Sequence, residues 1–493
     1  MSGTNTRANF LALTAPAAAG TAIPVTFWAE EQLTKPFLVS IDFLSDKNNI
    51  SPDALLYQSM CLTVTRTGGP QRYFNGMVRK LRLGTAESRG RWHYSVEVVP
   101  RLWFMSQTQD CRIFQNQTAK QIIEKLFTEG GVSMPQYNLS EEPKTREYTT
   151  QMNETDLDFV TRLIQEEGWY YFFEHSATDL TLVIANQNIA FQTLAQPQVT
   201  LTATSTAGTA DYARIGNWKP ASETSYGQTV LKDYNLAAPA DPPEATQDTT
   251  SKVAGASKRD AFRWPALTTD ATLVDQRTRI WIESAEANAA LINSGGCHNG
   301  FCPGYKFTLD SNPITGAANQ EYVIGLVVHR GTGGVPWSGS SGESYSNVFS
   351  CFPASQTWRE LLSVPHPRMQ GIYSAVVIGP DGQEIYTDEY ARVKVLFPWD
   401  RRKDSTPSGS VWLRVIHSWT GASWGTQFIP RVGTEVAVAF MDGDVDRPVV
   451  VGGNYNANYK PPFNVIGNAT TLSGIETRST PMAKDADGNP TGK

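Results

Sequence analysis

Between residues 372 and 452 the chain contains five short runs in which apolar and polar residues alternate: 372–379, 391–397, 411–416, 435–441 and 448–452. Alternation with period two buries one face of a strand and wets the other. Five such runs at these intervals describe a small barrel closed on itself. Val393, Val395 and Phe397 form one inward row against Arg392 and Lys394, and Val436, Val438 and Phe440 form another. Pro398 belongs at a strand end, because it has no N–H to give a ladder. A five-stranded OB-like barrel over residues 366–458 is therefore expected. Composition points the same way. With 18% charged residues, 39 Gly, 29 Pro and 13 Trp in 493 residues, the chain favours β-rich globular structure over long helices or disorder.

Upstream of the barrel, runs such as 37–43 and 94–99 read as strands bounded by turn formers. Two helices are expected, over about 118–129 and 155–167. In the first, Thr118 and Gln121 form a capping box, and Ala119, Ile122, Ile123 and Leu126 recur at helical spacing. Gly130-Gly131 stops it, because glycine takes the left-handed conformation cheaply. In the second, Leu157, Val160, Leu163 and Ile164 make the buried stripe and Gly168 the stop, before an aromatic strand Trp169-Tyr170-Tyr171-Phe172-Phe173. Residues 200–300 give weaker signals among Ala-, Thr- and Pro-rich loops. Strand character returns at 305–309 and 322–328, and Pro353 and Pro365-His366-Pro367 suggest a boundary. The organisation expected is a β-rich region over 1–365, the barrel over 366–458 and a neck over 459–493.

The chemistry-bearing motifs are weak. A net charge of −6 leaves no electrostatic footprint for nucleic acid. Nine Lys/Arg against ten Asp/Glu from His366 to Tyr455 argue against the basic groove of a nucleic-acid-binding OB-fold, although Trp399, Trp412, Trp419 and Trp424 supply aromatics. These tryptophans are expected in the barrel and at a chain–chain interface. Asp442, Asp444 and Asp446 begin like a calcium loop, but Arg447 and Gly453 stand where glycine and glutamate are needed, so a solvated hairpin turn is expected. Cys297, His298 and Cys302 lack a second ligand pair at zinc spacing. Glu166 and Glu167 point about 100° apart on a helix end and do not flank a substrate. Five cysteines make no disulfide framework. Thr14 and Pro16 break the apolar run after Arg7 too early for a signal peptide. No catalytic, cofactor-binding or metal residue is expected.

Read in order, several blocks resemble the VgrG family, the trimeric spike of type VI secretion systems, from about Thr34 to Arg478. Cys111-Arg112-Ile113-Phe114-Gln115-Asn116 precedes the first helix, and Asn153-Glu154-Thr155-Asp156-Leu157-Asp158-Phe159-Val160 leads to Glu166-Glu167-Gly168-Trp169-Tyr170-Tyr171. Pro303-Gly304-Tyr305-Lys306-Phe307 and Tyr322 through His329 follow. Then come Asp388-Glu389-Tyr390-Ala391-Arg392-Val393-Lys394-Val395, Ile429-Pro430-Arg431-Val432-Gly433 and Asp442 through Pro448. The resemblance implies mainly β structure: phage-hub-like β-barrel lobes, an OB-fold and a homotrimer. It further implies a structural role without enzymatic activity, adapting a threefold spike to a hexameric Hcp tube and delivering effectors. Assembly is expected in the bacterial cytoplasm, with export that needs no signal peptide and contact with a target membrane only on firing. The sequence reaches Lys493 without valine-glycine repeats, so the β-helical needle that carries effectors and a PAAR-type tip is not expected within it. The alternatives are a cell-wall-hydrolysing enzyme on a spike scaffold, or a hub of a phage or phage-like injection machine.

Overall fold

Strands with one buried face find partners across long stretches of chain in the computed structural model, which describes residues 10–201, 214–221, 223–251, 253, 255, 258–312, 316, 318–334, 342–401, 410–463 and 471–477. The chain divides into two units. The first takes residues up to Thr108, Ile123–Pro143 and Asp156–Val364; the second takes Gln109–Ile122, Lys144–Thr155 and the chain from Pro365 onward.

The main sheet of the first unit has twelve strands among the described residues, arranged as two sixes. One six runs in the order Leu11–Thr14, Ser59–Thr65, Gln71–Glu87, Arg91–Val99, Lys35–Ser45 and Ile23–Gln32. Ile23–Gln32 then pairs antiparallel with Ala318–Thr332, from Gln32↔Leu326 to Thr26↔Thr332. That strand opens the second six, which continues through Tyr305–Ser311, Gln192–Leu201, Arg214–Pro220, Ile292–Gly296 and Ser344–Pro353. Because Ser344–Pro353 pairs back onto Ala318–Thr332, the second six closes on itself and has no free edge. Val199, Ile215, Phe301, Phe307, Leu309, Ile324 and Phe349 fill it. These are the β-barrel lobes that the resemblance implies.

Helix α1 spans Ala119–Gly130 and α2 spans Asp156–Glu166, both within a residue of the expected bounds. The capping box forms as read: Gln121 N–H donates to Thr118 Oγ1 at 3.2 Å and Thr118 N–H to Gln121 Oε1 at 2.9 Å. At the far ends Gly131 and Gly168 adopt φ of 63° and 70°. The next N–H then reaches back five residues, from Val132 to Phe127 and from Trp169 to Ile164. A Cβ on Gly168 would also lie 2.6 Å from Ile280 Cγ1, so glycine is required there twice over.

The region of weak signals holds a third helix, α3, from Ala271 to Ala289. Its start is marked by Asp270, whose carboxylate accepts the N–H groups of Thr272 and Leu273. Helix α3 packs on a three-stranded sheet ordered Glu244–Asp248, Gln228–Lys232, Asp260–Arg263. Reading this stretch as loops missed it because Thr278 and Ser284 lie among its buried positions, which blurs the apolar period.

In the second unit the five expected strands close into a barrel in the order Tyr373–Ile378, Val393–Leu396, Trp412–Val415, Pro448–Asn454 and Glu435–Phe440. The pairing of Trp412–Val415 with Pro448–Asn454 is parallel; the others are antiparallel. Val377, Val393, Val395, Phe397, Leu413, Val436, Val438 and Phe440 all face the core. A two-stranded ribbon, Gln109–Thr118 with Thr145–Thr155, belongs to this unit. Its Ile113 and Met152 lie against the barrel core, and Thr150 N–H donates to Asp446 Oδ1 at 2.7 Å. A division of the chain at residue 365 alone leaves this ribbon with the first region. Of the expected neck, residues 464–470 and everything from Arg478 lie outside the described residues, as does Arg7.

Candidate functional site

Four strands of the first unit each place one ionisable residue on an inward position, and these residues meet. Glu31 follows Phe27 and Ala29 on one buried face, Arg72 precedes Phe74, His175 follows Phe173, and His329 follows Val327. Arg72 Nη2 reaches both carboxylate oxygens of Glu31. His175 Nε2 lies 3.1 Å and His329 Nε2 3.2 Å from the same carboxylate. Asn75 N–H donates to His175 Nδ1 at 3.1 Å, which leaves the proton of the neutral ring on Nε2, facing Glu31. His329 Nδ1 meets the Tyr345 hydroxyl. Burial alone would raise the Glu31 carboxyl, but Arg72 and the two imidazoles hold it well below the usual carboxylate range. Burial lowers both histidines, against the pull of Glu31, so both stay neutral. Phe37, Phe74 and Phe27 wall the group in.

This arrangement binds strands together and leaves no room for a reactant. The hollow beside it, lined by Glu31, Gln32, Lys35, Phe37, Phe173 and Pro303, is about 10 Å³, the space of a single water. Cys302 Sγ sits 3.5 Å from Arg72 Nη2 and 3.6 Å from the Phe173 carbonyl, and burial pushes its thiol up, away from the reactive thiolate. Motif reading missed the cluster because its members come from four distant strands. The readable signal was a charge or histidine where the period-two pattern demands an apolar residue.

A second group lies in the barrel unit. Asp444 Oδ1 accepts from His366 Nε2 at 3.0 Å and from Asp446 N–H at 2.9 Å, while Arg447 Nε stands 3.1 Å from Oδ2. The ligand atoms of His366, Asp444 and Asp446 lie within 4.8 Å of one another, a donor set of the kind divalent cations take. Their oxygens are nevertheless tied to His366, Arg447, Asp446 N–H and Thr150 N–H, which makes the group a hydrogen-bonded clasp. Burial works to raise the Asp444 carboxyl, but His366 and Arg447 hold it below its ordinary value. The solvated turn expected at 442–446 is thus corrected: Asp444 is buried and bonded because the clasp needs it. Asp442 is exposed, and it and Gly443 turn the chain with φ of 56° and 74°.

The other residues singled out by sequence do not converge. Cys297 Sγ faces the Arg214 carbonyl, His298 stacks on Phe301 at 4.5 Å, and Cys302 faces Arg72. Glu166 accepts from Arg162 at 2.9 Å, one turn back on α2. Trp399 stacks on Phe397 at 4.8 Å against the barrel core, and Trp412 packs on Tyr386. Trp419 and Trp424 remain 63% and 57% exposed, edge to face on a short hairpin. A cleft of about 270 Å³ beside α3 is lined by Tyr226, Arg263, Trp281 and Leu361 among others. Its Ser284 hydroxyl donates to the Trp281 carbonyl, so the geometry there builds no nucleophile.

Comparison with known proteins completes the description. Residues 30–335 match the phage tail baseplate hub (GPD) family, and residues 383–455 match the type VI secretion system/phage-baseplate injector OB domain. The chain is 33% identical over 465 residues to the type VI secretion system spike protein VgrG1c of Pseudomonas aeruginosa, covering 93% of this chain and 63% of that protein. To VgrG1a of the same organism it is 32% identical over 469 residues, covering 93% and 71%. Its fold is similar to that of the E. coli c3393 protein, described as a type VI secretion component with structural similarity to the T4 tail proteins gp27 and gp5. That likeness has a TM-score of 0.63 at 22% identity over 90% of this chain and 100% of the other. A closed six-stranded lobe, a five-stranded barrel and these extended identities lead to one assignment: the chain belongs to the VgrG family of type VI secretion system spike proteins.

Proposed function

We propose that this chain forms the hub and barrel of a homotrimeric spike that caps a hexameric Hcp tube and carries effectors and a PAAR-type tip, without catalysing a reaction. The observation that carries the reading is the order of a hub-family sheet and an OB barrel in one chain, as in a spike protein of which it covers 71%. The sheet supports it further, because two six-stranded halves per chain become six in a trimer, the number a sixfold ring can meet. The ion cluster, walled in by aromatic rings, suits a load-bearing part better than a catalyst. Assembly in the cytoplasm and export with the tube belong to the same reading.

Light scattering of the purified chain over a range of concentrations tests it, together with sedimentation in the presence of tube hexamers from the same bacterium. A stable mass of three times 54.3 kDa that travels with the hexamers is the expected result. A monomer that ignores them sinks the proposal.

A further inference from the structure

The three-stranded sheet that carries α3 has two edges, and they are finished differently. Glu244–Asp248 closes one edge with a carboxylate at each end, tied across to the central strand. Lys232 Nζ donates to Glu244 at 2.6 Å and Gln228 Nε2 to Asp248 at 2.8 Å. Charge of this kind keeps a sheet edge from pairing with another chain. The other edge, Asp260–Arg263, pairs only with Gln228–Lys232 among the described residues, from Gln228↔Asp260 to Leu231↔Arg263. Asp260 and Arg263 at its ends make no ion pair among the described residues. Its outer row of N–H and C=O groups meets no further strand there. Phe262 and the following Trp264 stand 59% and 42% exposed, a pattern that invites association.

Two hollows adjoin this strand. Arg263 lines the larger, of about 270 Å³, together with Leu231, Ile280, Trp281 and Leu361. Arg259, one residue before the strand, lines a smaller one of about 170 Å³ with Thr224, Ser225 and Ser251, and Tyr226 borders both. The Arg259 carbonyl already accepts the N–H groups of Gly227 and Gln228, at 2.7 and 3.2 Å. In extended chain, residues 259 and 263 face the same way and stand about 13 Å apart, at about 3.3 Å per residue. A peptide laid along the edge repeats that spacing at every fourth side chain.

Most polar groups around the larger hollow are committed. Gln165 donates to Ser363 Oγ, Arg277 to the Ala266 carbonyl and Ser284 to the Trp281 carbonyl. The Arg263 guanidinium instead lies over the Trp281 ring at 4.2 Å, and burial lowers it from its ordinary value. The larger hollow therefore suits an apolar side chain, and the smaller, polar one beside Arg259 suits a carboxylate.

We propose that the edge Asp260–Arg263 receives an extended peptide of another protein as an added strand, with an apolar side chain in the larger hollow and an acidic one, four residues away, against Arg259. Main-chain pairing supplies affinity in such an arrangement, and the hollows supply selectivity. The test is fluorescence anisotropy of the full-length chain with a labelled nine-residue peptide, capped at both ends. It has leucine at its centre, aspartate at each end to serve either strand direction, and threonine and serine between. The wild type should bind it, and replacing the leucine by serine, or the aspartates by lysine, should each weaken binding ~10-fold or more. Only alternate N–H groups of an added strand face the edge, so methylating one alternate set of peptide nitrogens should abolish binding and methylating the other should spare it. Arg259→Glu should invert the preference toward the lysine peptide with unchanged melting, because its side chain is exposed. No wild-type binding of the aspartate peptide, or equal effects of the two methylated sets, overturns the proposal. So does binding of anilinonaphthalene sulfonate that no peptide displaces, which leaves an apolar hollow only. Loss of the oligomer on adding the peptide would make the edge a contact between copies and overturn it too. The spike reading stands whichever result is obtained.

Discussion

The two units hold themselves together by different means. The barrel closes on Val377, Val393, Val395, Phe397, Val436, Val438 and Phe440, an apolar interior with its ionic clasp at the margin. The first unit adds to its apolar interior a fully desolvated ion cluster walled in by aromatic rings. Apolar packing is non-directional and tolerates rearrangement at constant volume. A buried carboxylate that must satisfy one guanidinium and two imidazoles does not. Register therefore has to be enforced unequally: strands that are neighbours in sequence can rely on alternation, whereas strands bearing residues 31, 72, 175 and 329 need a shared anchor.

The sharpest way to break this contrast is Glu31→Gln, which leaves Arg72 buried without its counter-charge. We expect a loss of roughly 3–5 kcal/mol, with hydrogen exchange rising in the first unit and not in the barrel. Replacing the pair together, Glu31→Leu with Arg72→Met, should recover most of that loss. If the double variant is as unstable as the single, uncompensated charge is not the cause. In the barrel, Phe440→Ala should cost roughly 3–5 kcal/mol by cavity formation, with exchange rising only there. A denaturant series showing less than about 1 kcal/mol would remove Phe440 from the core.

Acid acts unequally on the two units. His175, His329 and His298 are all lowered from 6.5 by burial, His298 to about 4. A histidine kept neutral in the fold binds its proton only on unfolding, so stability is greatest above pH 6.5 and falls as pH drops toward the folded value. His298 alone accounts for ~3 kcal/mol by pH 4, at about 1.4 kcal/mol per unit. Asp444, held below 3.8, keeps its contribution to the barrel until the pH is lower still. Glu360, raised by burial to about 7, works the other way within the first unit, so between pH 6 and 4 that unit should loosen only by the margin of the three histidines over it, while the barrel stays protected. Simultaneous loss of protection in both units would contradict the division. The smallest effect concerns α3: Asp270→Ala removes the cap that serves Thr272 and Leu273 and should cost about 1 kcal/mol in thermal melts.

These regions also differ in how far they could be read beforehand. The barrel strands were legible because each alternates cleanly and ends at a turn, and α1 and α2 because their caps and stripes agree. Helix α3 was not, since Thr278 and Ser284 occupy buried positions and only Asp270 announced it. The ion cluster lay outside any local motif. Its members declare only that something polar faces inward, and the pairing of strands decides what they meet. The same limit hid the ribbon's allegiance: alternation tells which side of Gln109–Thr118 is buried, not against which sheet.

That allegiance governs the order in which the protein can be finished. The chain passes between the two units five times, at residues 108/109, 122/123, 143/144, 155/156 and 364/365. During synthesis the ribbon leaves the ribosome long before the strands that will cover Ile113 and Met152 have been made. The barrel unit therefore cannot close until the strands Glu435–Phe440 and Pro448–Asn454 have been made. A gene fragment cut at residue 365 would transplant five strands and leave behind the two that seal them.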